Sequence, residues 1–204
     1  MDRIKPRDIE LVQNLARFNK PFWSVADLQK VLGYRSRQTL LVILHRLVRQ
    51  GVLTRLRRGI YRPSTSLADG AVLANLLYTP SYLSFESALS RYGILSQVPY
   101  TITLATTRRS KKMALEGTAV EYRQLRGDLF FGHRLEQGLD IAEPEKALLD
   151  ALYLMKRGKL RLALEELDFS SLSPGKLKSY GSRFPRHIQA AVEGLHSGMR
   201  EARR

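Results

Sequence analysis

The chain has 204 residues, which is enough for one large domain or for two small ones with separate cores. It has no cysteine, which excludes disulfides and thiolate metal sites, and its four histidines show no metal-ligand spacing. Its N-terminus lacks the apolar segment of a secretory signal, and no apolar run approaches the roughly 18 residues of a membrane span. We therefore expect a soluble cytoplasmic protein with no membrane association, metal or cofactor.

The net charge of +15 is unevenly distributed along the chain. Residues 1–62 carry 14 Lys and Arg against 4 Asp and Glu, residues 63–168 carry 13 of each, and residues 169–204 carry 7 against 2. This segregation indicates that the N-terminal third meets a polyanion while the neutral middle has another task. For the basic C-terminal stretch, contact with DNA and packing on the body both stay open, and we expect a frayed, solvated end.

Three helices are predicted in the first 50 residues. The first spans about residues 7–18 and ends at an Asn-Lys-Pro break. The second spans residues 25–32, where Ser24 and Asp27 have the spacing of a capping box. The third, here called the recognition helix, begins after Ser36 as its N-cap and runs to about Gln50. Two helices joined by a tight turn predict a helix-turn-helix.

Projection at about 100° per residue separates two faces of the recognition helix. Its apolar face contains Leu40, Ile43, Leu44, Leu47 and Val48. Its opposite face contains Gln38, Val42, His45 and Arg49, flanked by Arg37, Thr39 and Arg46. Because Gln pairs with adenine, Arg pairs with guanine and Val can contact a thymine methyl, this second face could read base edges. For an isolated helix, plain solvent exposure would be the simpler interpretation.

The hairpin after the recognition helix favours DNA binding. Residues 52–62, here called the wing, alternate as two strands over 52–56 and 60–62 around an Arg-Arg-Gly turn. Arginines at a hairpin tip suit a phosphate ridge or a narrow minor groove. Together with the local charge, this order predicts a winged helix-turn-helix DNA-binding domain over residues 1–65. A winged helix that binds a protein partner is the alternative.

The predicted DNA-binding residues lie in the turn before the recognition helix, on its polar face and in the wing. They are Arg35, Ser36, Arg37, Gln38, Thr39, Val42, Arg46, Arg57 and Arg58. His45 and Arg49 are lesser candidates on the same helix.

A polar break over residues 63–69 predicts a domain boundary, with a second domain over residues 66–204. Its expected helices cover 71–78, 85–92 (with Ser84 as its cap) and 144–155, and two more begin at Pro174 and Pro185. Its expected strands cover 100–105, 120–125, 128–131 and 139–141. The order predicts a mixed α+β domain with a small sheet and several helices.

Candidate chemistry in this second domain is weak. The basic run 108–112 could bind nucleic acid, but an exposed loop explains it better. Glu143 and Glu145 begin a helix, where the dipole favours acids without any catalytic role. A nuclease site would need a further carboxylate there, such as Glu86 or Glu121. No spaced nucleophile and no glycine-rich phosphate loop is present, so we expect no enzymatic activity.

Four segments resemble one known family. They are RLVRQGVLTRLRRGIYRP, YLSFESALSRYGILSQVPYTITLATTRR, TAVEYRQL and IAEPEKALLDALYL. In this order they are similar to the AbiEi family of bacterial antitoxins and transcriptional regulators, over roughly residues 5–160. The wing pattern is shared by many winged helices, and the SFESAL and AEPEKALLD segments are more specific.

The resemblance implies that the N-terminal winged helix binds inverted repeats upstream of its own operon and represses it. DNA contacts would then fall at the start of the recognition helix (Arg35, Arg37, Gln38, Thr39) and in the wing (Arg57, Arg58). It also implies that the C-terminal domain neutralises a nucleotidyltransferase-like toxin encoded next door, without a stable complex being required. No chemical role is implied for individual C-terminal residues.

The sequence as a whole predicts an autorepressor that is also the antitoxin of a two-gene system. One alternative is a winged-helix repressor that senses a small ligand and has no toxin partner. Another is a nuclease or nucleotidyl transferase that its winged helix brings to DNA. The family resemblance does not extend to residues 169–204, so it implies no function for them.

Overall fold

The structure is a computed structural model that describes residues 11, 13–15, 17–18, 20–65 and 69–201. The chain divides into two compact units, Met1–Asp69 and Gly70–Arg204. Of the helix predicted over residues 7–18, the described positions 11 and 13–15 are helical, and the rest of that prediction lies mostly outside the described residues. The fold is α+β, as predicted.

The N-terminal unit is a winged helix-turn-helix. Helix α1 (Val25–Leu32) is followed by the recognition helix, α2 (Arg37–Arg49). Strands β1 (Trp23–Ser24), β2 (Leu53–Arg57) and β3 (Ile60–Pro63) form an antiparallel sheet in the order β1-β3-β2. Both helices and both wing strands lie within one or two residues of their predicted positions.

Local hydrogen bonds define the ends of these helices. The Ser24 hydroxyl accepts from the Asp27 N–H at 3.1 Å, and the Ser24 N–H donates to the Asp27 carboxylate at 2.9 Å. This pair is the predicted capping box. Helix α1 ends at Gly33, whose φ of 68° is the left-handed conformation that glycine adopts without strain.

The apolar face of α2 is buried in the core of this unit, as predicted. Leu40, Leu44 and Leu47 are fully buried, and Ile43 and Val48 pack against the same cluster. Each fully buried leucine contributes on the order of 2 kcal/mol of transfer free energy. The burial therefore fixes which face of α2 is left for solvent or a ligand.

The C-terminal unit contains five helices and six strands in its described part. The helices are α3 (Gly70–Leu77), α4 (Phe85–Arg91), α5 (Pro144–Lys156), α6 (Pro174–Gly181) and α7 (Arg186–Glu201). The strands are β4 (Ser81–Leu83), β5 (Thr101–Thr106), β6 (Lys111–Leu115), β7 (Thr118–Gln124), β8 (His133–Glu136) and β9 (Leu139–Ala142).

The six strands form one mixed sheet in the order β6-β7-β5-β4-β9-β8. The pairs β5–β7 and β4–β9 are parallel, and the other three neighbouring pairs are antiparallel. Helix α5 is the central helix of this unit: every residue from Glu145 to Leu154 is buried. In the described part of the chain, no helix has the length and apolar character that crossing a membrane requires.

The prediction of a strand over residues 128–131 is wrong. Residues Gly127–Leu129 form a 3-10 turn, closed by a hydrogen bond from the Leu129 N–H to the Arg126 carbonyl at 3.0 Å. Arg126 and Asp128 form an ion pair at 2.6 Å in the same turn. The local bonds satisfy the backbone there, so it does not join the sheet.

The basic run 108–112 is not entirely a loop, because β6 begins at Lys111. Lys112 pairs with Glu121 across β6 and β7, with 3.2 Å between Nζ and Oε1. Because Lys112 has a partner of opposite charge on the neighbouring strand, this part of the basic run can form a strand. Strands β4 and β8 were also absent from the prediction.

Candidate functional site

The turn before α2 and its first residues are open to solvent. The side chains of Arg35, Ser36, Arg37, Gln38 and Thr39 are all exposed. The Gln29 amide donates to the Arg35 carbonyl at 3.3 Å, which holds the turn between α1 and α2. The predicted base-reading end of the helix is therefore free for a ligand.

Along α2, the polar face continues through Val42, which is 69% exposed although it is apolar. His45 and Arg49 are exposed on the same face, whereas Arg46 is half-buried. An exposed valine beside basic and amide side chains suits a surface that meets both methyl groups and polar edges. Arg46 is the predicted residue least available to a ligand.

Ser36 has a structural role in addition to its predicted one. Its hydroxyl accepts from the Thr39 N–H at 3.3 Å and so caps α2. The cap satisfies one of the free N–H groups at the start of the helix. The remaining N–H groups and the helix dipole favour an anion such as a phosphate at this end.

The wing presents its arginines from a constrained hairpin. The pairing register of β2 with β3 shifts between Arg55 and Arg57. As a result Leu56 is buried, while the arginines on either side of it are exposed. The tip is held by a hydrogen bond from the Val25 N–H to the Gly59 carbonyl at 3.0 Å, and Gly59 has a φ of 78°. Arg57 and Arg58 therefore project from a fixed turn.

The electrostatics of this surface are nearly one-sided. Between residues 20 and 65 the sequence contains a single carboxylate, Asp27. Lys20 pairs with it at 2.9 Å, and hydrogen bonds from Lys20 and Ser24 lower the pKa of the Asp27 carboxyl to about 2. Arg35, Arg37, Arg57 and Arg58 are exposed in this acid-poor segment, which favours a polyanionic ligand.

Residues 10–64 match the sequence model of a family described as transcriptional regulator, AbiEi antitoxin. The matched range, here called the AbiEi domain, covers almost all of the N-terminal unit and is similar to this family. The resemblance found in the sequence is confirmed over this range, which includes α1, α2 and the wing. No curated protein matches the chain.

In the unit that follows the AbiEi domain, two of the recognised segments meet in a buried polar cluster of Tyr82, Ser84, Lys146 and Asp150. All four side chains are fully buried. Tyr82 and Ser84 each donate a hydrogen bond of 2.9 Å to the Asp150 carboxylate. Lys146 donates to the Tyr82 hydroxyl at 2.8 Å and forms an ion pair with Asp150. The cluster therefore joins the SFESAL segment to the AEPEKALLD segment.

Burial dominates the electrostatics of this cluster. It lowers the pKa of the Lys146 ammonium and raises the pKa of the Asp150 carboxyl, while each partner acts in the opposite direction. The Lys146 ammonium also lies 5.1 Å from the Phe131 ring centroid and 5.3 Å from that of Phe184. Since all four side chains are buried and bonded to one another, the cluster orders the core.

Ser84 does not cap α4, so that expectation was wrong. Its side chain makes no capping bond at the start of the helix and donates to Asp150 instead. The first residue of α4, Phe85, has a φ of 56°, which is unusual for a residue with a side chain. The Ser84 hydroxyl therefore bonds to the buried Asp150 carboxylate and not to the N–H groups at the start of α4.

A second link joins SFESAL to the TAVEYRQL segment. Arg123 forms ion pairs with Glu86 at 2.6 Å and with Glu121 at 2.9 Å. Its guanidinium also lies 5.2 Å from the ring centroid of Phe85. The three recognised C-terminal segments are therefore parts of one contiguous structure.

The acids that a nuclease site would need are engaged in different contacts. Glu86 and Glu121 bind Arg123, whereas Glu143 accepts from the Tyr180 hydroxyl at 2.6 Å and pairs with Lys176 at 2.8 Å. One oxygen of the buried Glu145 accepts from the Ser173 N–H at 2.8 Å. Among the described residues, no group of three or more His, Asp or Glu side chains could hold a metal ion.

Of the basic run, Arg108 and Lys111 lie over the Tyr78 ring, at 4.5 and 5.2 Å from its centroid. The Tyr78 hydroxyl donates to the Arg109 carbonyl at 2.9 Å. These contacts order the segment that leads into β6. The sequence showed the charges but not the aromatic ring that positions them, because Tyr78 is about 30 residues earlier in the chain.

Proposed function

We propose that the protein is a sequence-specific DNA-binding autorepressor and the antitoxin of a bacterial toxin-antitoxin system. The observation that carries the DNA-binding half is the exposed, arginine-rich surface of the AbiEi domain, formed by the start of α2 and the arginine-tipped wing. The AbiEi match supports the regulatory and antitoxin roles. The site of action is the cytoplasm, where promoter DNA is available.

In this mechanism α2 enters the major groove of a promoter half-site. Gln38 and Arg37 contact base edges, Val42 meets a thymine methyl, and Arg57 and Arg58 contact the adjacent backbone. Arg35, Ser36, Thr39 and Arg46 complete the proposed contact surface. Two molecules occupy inverted repeats upstream of the operon, and their presence blocks the polymerase.

The antitoxin role is assigned to the C-terminal domain, which we define as residues 66–204. Its proposed target is a nucleotidyltransferase-like toxin encoded by the neighbouring gene, neutralised without a stable complex. The charge distribution supports separate roles for the two domains, since residues 63–168 carry as many acids as bases and so lack the positive charge of the N-terminal unit.

Binding to the protein's own upstream DNA tests the first half. We expect Arg57→Glu/Arg58→Glu to weaken binding to all sequences and to reduce the dependence of affinity on salt, because fewer phosphates are neutralised. The matched control is Lys159→Glu/Arg161→Glu, which makes the same change in charge at exposed positions of the C-terminal unit. Wild-type affinity and salt dependence in the wing variant would refute the proposal.

Co-expression with the neighbouring gene tests the second half. The wing variant should lose repression of a promoter reporter and still rescue growth from the toxin. Toxicity that the wild-type chain does not relieve, measured at a protein level at which it represses its promoter, would exclude the antitoxin role and leave the repressor role intact.

A repressor that senses a small ligand is the second candidate. One observation favours it, an apolar groove of about 400 Å³ in the C-terminal unit. It is lined by Leu152, Met155, Lys156, Leu164, Ala191 and Gly194. Release of promoter DNA on addition of a small apolar metabolite, lost in Ala191→Trp, would support this candidate.

A further inference from the structure

We propose that strand β8 pairs with β8 of a second copy of this chain, so that two C-terminal sheets form one continuous sheet about a two-fold axis. Strand β8 is the last in the sheet order, and in the described part of the chain its only strand neighbour is β9. An open edge of this kind is a template for pairing with another strand. The pairing is independent of any DNA that the AbiEi domain binds.

The backbone of β8 has the geometry for this contact. A two-residue turn, Gln137 and Gly138, joins β8 to β9, and both residues have positive φ. In such a hairpin the flanking pair, Glu136 and Leu139, exchanges both backbone hydrogen bonds. Because the pattern alternates, the N–H and C=O groups of Leu135 point away from β9 and toward the open edge.

Leu135 is the natural centre of the contact. It is 74% exposed, although it is a large apolar side chain in the middle of a strand. In an antiparallel pair of identical strands, the residue on the two-fold axis lies opposite itself. With Leu135 on the axis, two symmetric backbone hydrogen bonds form, and each leucine covers the other.

The charges that flank Leu135 are complementary in this register. Arg134 and Glu136 form an ion pair within β8, and their side chains are 54% and 37% exposed. Across the axis, Arg134 lies opposite Glu136 of the second copy, and the reverse pair occurs as well. Opposite charges at facing positions stabilise antiparallel strands. The other edge strand, β6, carries lysines and no acid, and so lacks this self-complementarity.

Disulfide cross-linking tests the register directly, because the chain has no cysteine of its own. Facing residues with these hydrogen bonds have Cα atoms about 5.5 Å apart, which a disulfide can span. We expect Leu135→Cys to form a cross-linked dimer about tenfold faster than Val98→Cys, because pairing raises the effective concentration of the two thiols. Val98 is a suitable control, since it is 81% exposed in a loop of the same unit. Equal rates for the two variants would overturn the proposal.

Charge exchange tests it without cysteine. In sedimentation experiments, Glu136→Arg should weaken self-association about tenfold, because arginines then face each other across the axis. The double variant Arg134→Glu/Glu136→Arg restores opposite charges and should recover the wild-type dimer. If the wild-type chain sediments only as a 23.3 kDa monomer, or the double variant associates no better than the single one, the pairing is refuted. Both residues are at the surface, so the core is unaffected.

Discussion

Ser84 donates a hydrogen bond of 2.9 Å to the carboxylate of Asp150, 66 residues further along the chain. The same carboxylate is bound by Tyr82 and by Lys146, and none of these side chains reaches solvent. The SFESAL and AEPEKALLD segments are therefore in contact through their polar residues.

Removing one partner of the buried ion pair should be strongly destabilising. We expect Lys146→Met to lower the free energy of unfolding of the C-terminal unit by about 3–5 kcal/mol, because Asp150 would stay buried without its cation. Lys146→Met/Asp150→Leu should lose less than the sum of the two single variants. Urea denaturation followed by circular dichroism measures both. Trp23, the only tryptophan, lies in the other unit, and its fluorescence transition should be unchanged.

Gly132 should not tolerate a side chain. Its φ is 67°, and a Cβ there would lie 3.1 Å from both Lys146 Cγ and Tyr180 Cε2. Gly158 is a matched control, with a φ of 66° and nothing within 4 Å of its Cβ position. We expect Gly158→Ala to lower the free energy of unfolding by about 1–2 kcal/mol from backbone strain alone. Gly132→Ala should cost about 1–3 kcal/mol more from overpacking. Equal losses in thermal unfolding would contradict the steric argument.

The cap of the recognition helix should be measurable in the N-terminal unit. We expect Ser36→Ala to lower its free energy of unfolding by about 1 kcal/mol, since the Thr39 N–H loses its acceptor. Ser36→Asn should retain wild-type stability, because asparagine caps helices as well as serine does. Trp23 fluorescence during urea denaturation reports this unit. No difference between the two variants would mean that the hydroxyl does not cap α2.

Asp27 should make the stability of the N-terminal unit depend on pH. Hydrogen bonds from Lys20 and Ser24 lower the pKa of its carboxyl from 3.8 to about 2. A lowered pKa stabilises the fold above the unfolded value, and this stabilisation is lost as the pH falls from about 4 to about 2. Unfolding followed by Trp23 fluorescence should therefore show a weaker pH dependence in Asp27→Asn than in the wild type. Identical pH dependences of unfolding in the two proteins would show that Lys20 and Ser24 do not stabilise the ionised Asp27 carboxylate.

Gln38 should affect base preference and not general affinity. If its amide pairs with one adenine, Gln38→Ala should lower discrimination at that base pair by about 1–3 kcal/mol. Binding to a set of operators with single base changes measures this effect. Thr65→Ala, at an exposed position beyond the wing strands, is a control that should leave the preference unchanged. A uniform loss across all operators would assign Gln38 to backbone contact.

The sequence by itself determined most of the N-terminal unit. The capping box of Ser24 and Asp27, the apolar face around Leu44 and the arginine-tipped turn depend on neighbours within a few residues, so local periodicity and turn chemistry predict them. Long, strongly apolar elements such as α5 were predicted for the same reason.

Only the tertiary structure decided which contacts the segments of the C-terminal unit make. Local sequence predicts Ser84 as a helix cap, but in the fold its hydroxyl donates to Asp150. Local sequence likewise predicts a loop at Lys112, but Glu121 of β7 pairs with it and a strand forms. The open edge at β8 likewise depends on the strand order and not on its four residues. In each case the deciding partner is distant in sequence, and the free energy of a buried or cross-strand contact exceeds the local preference.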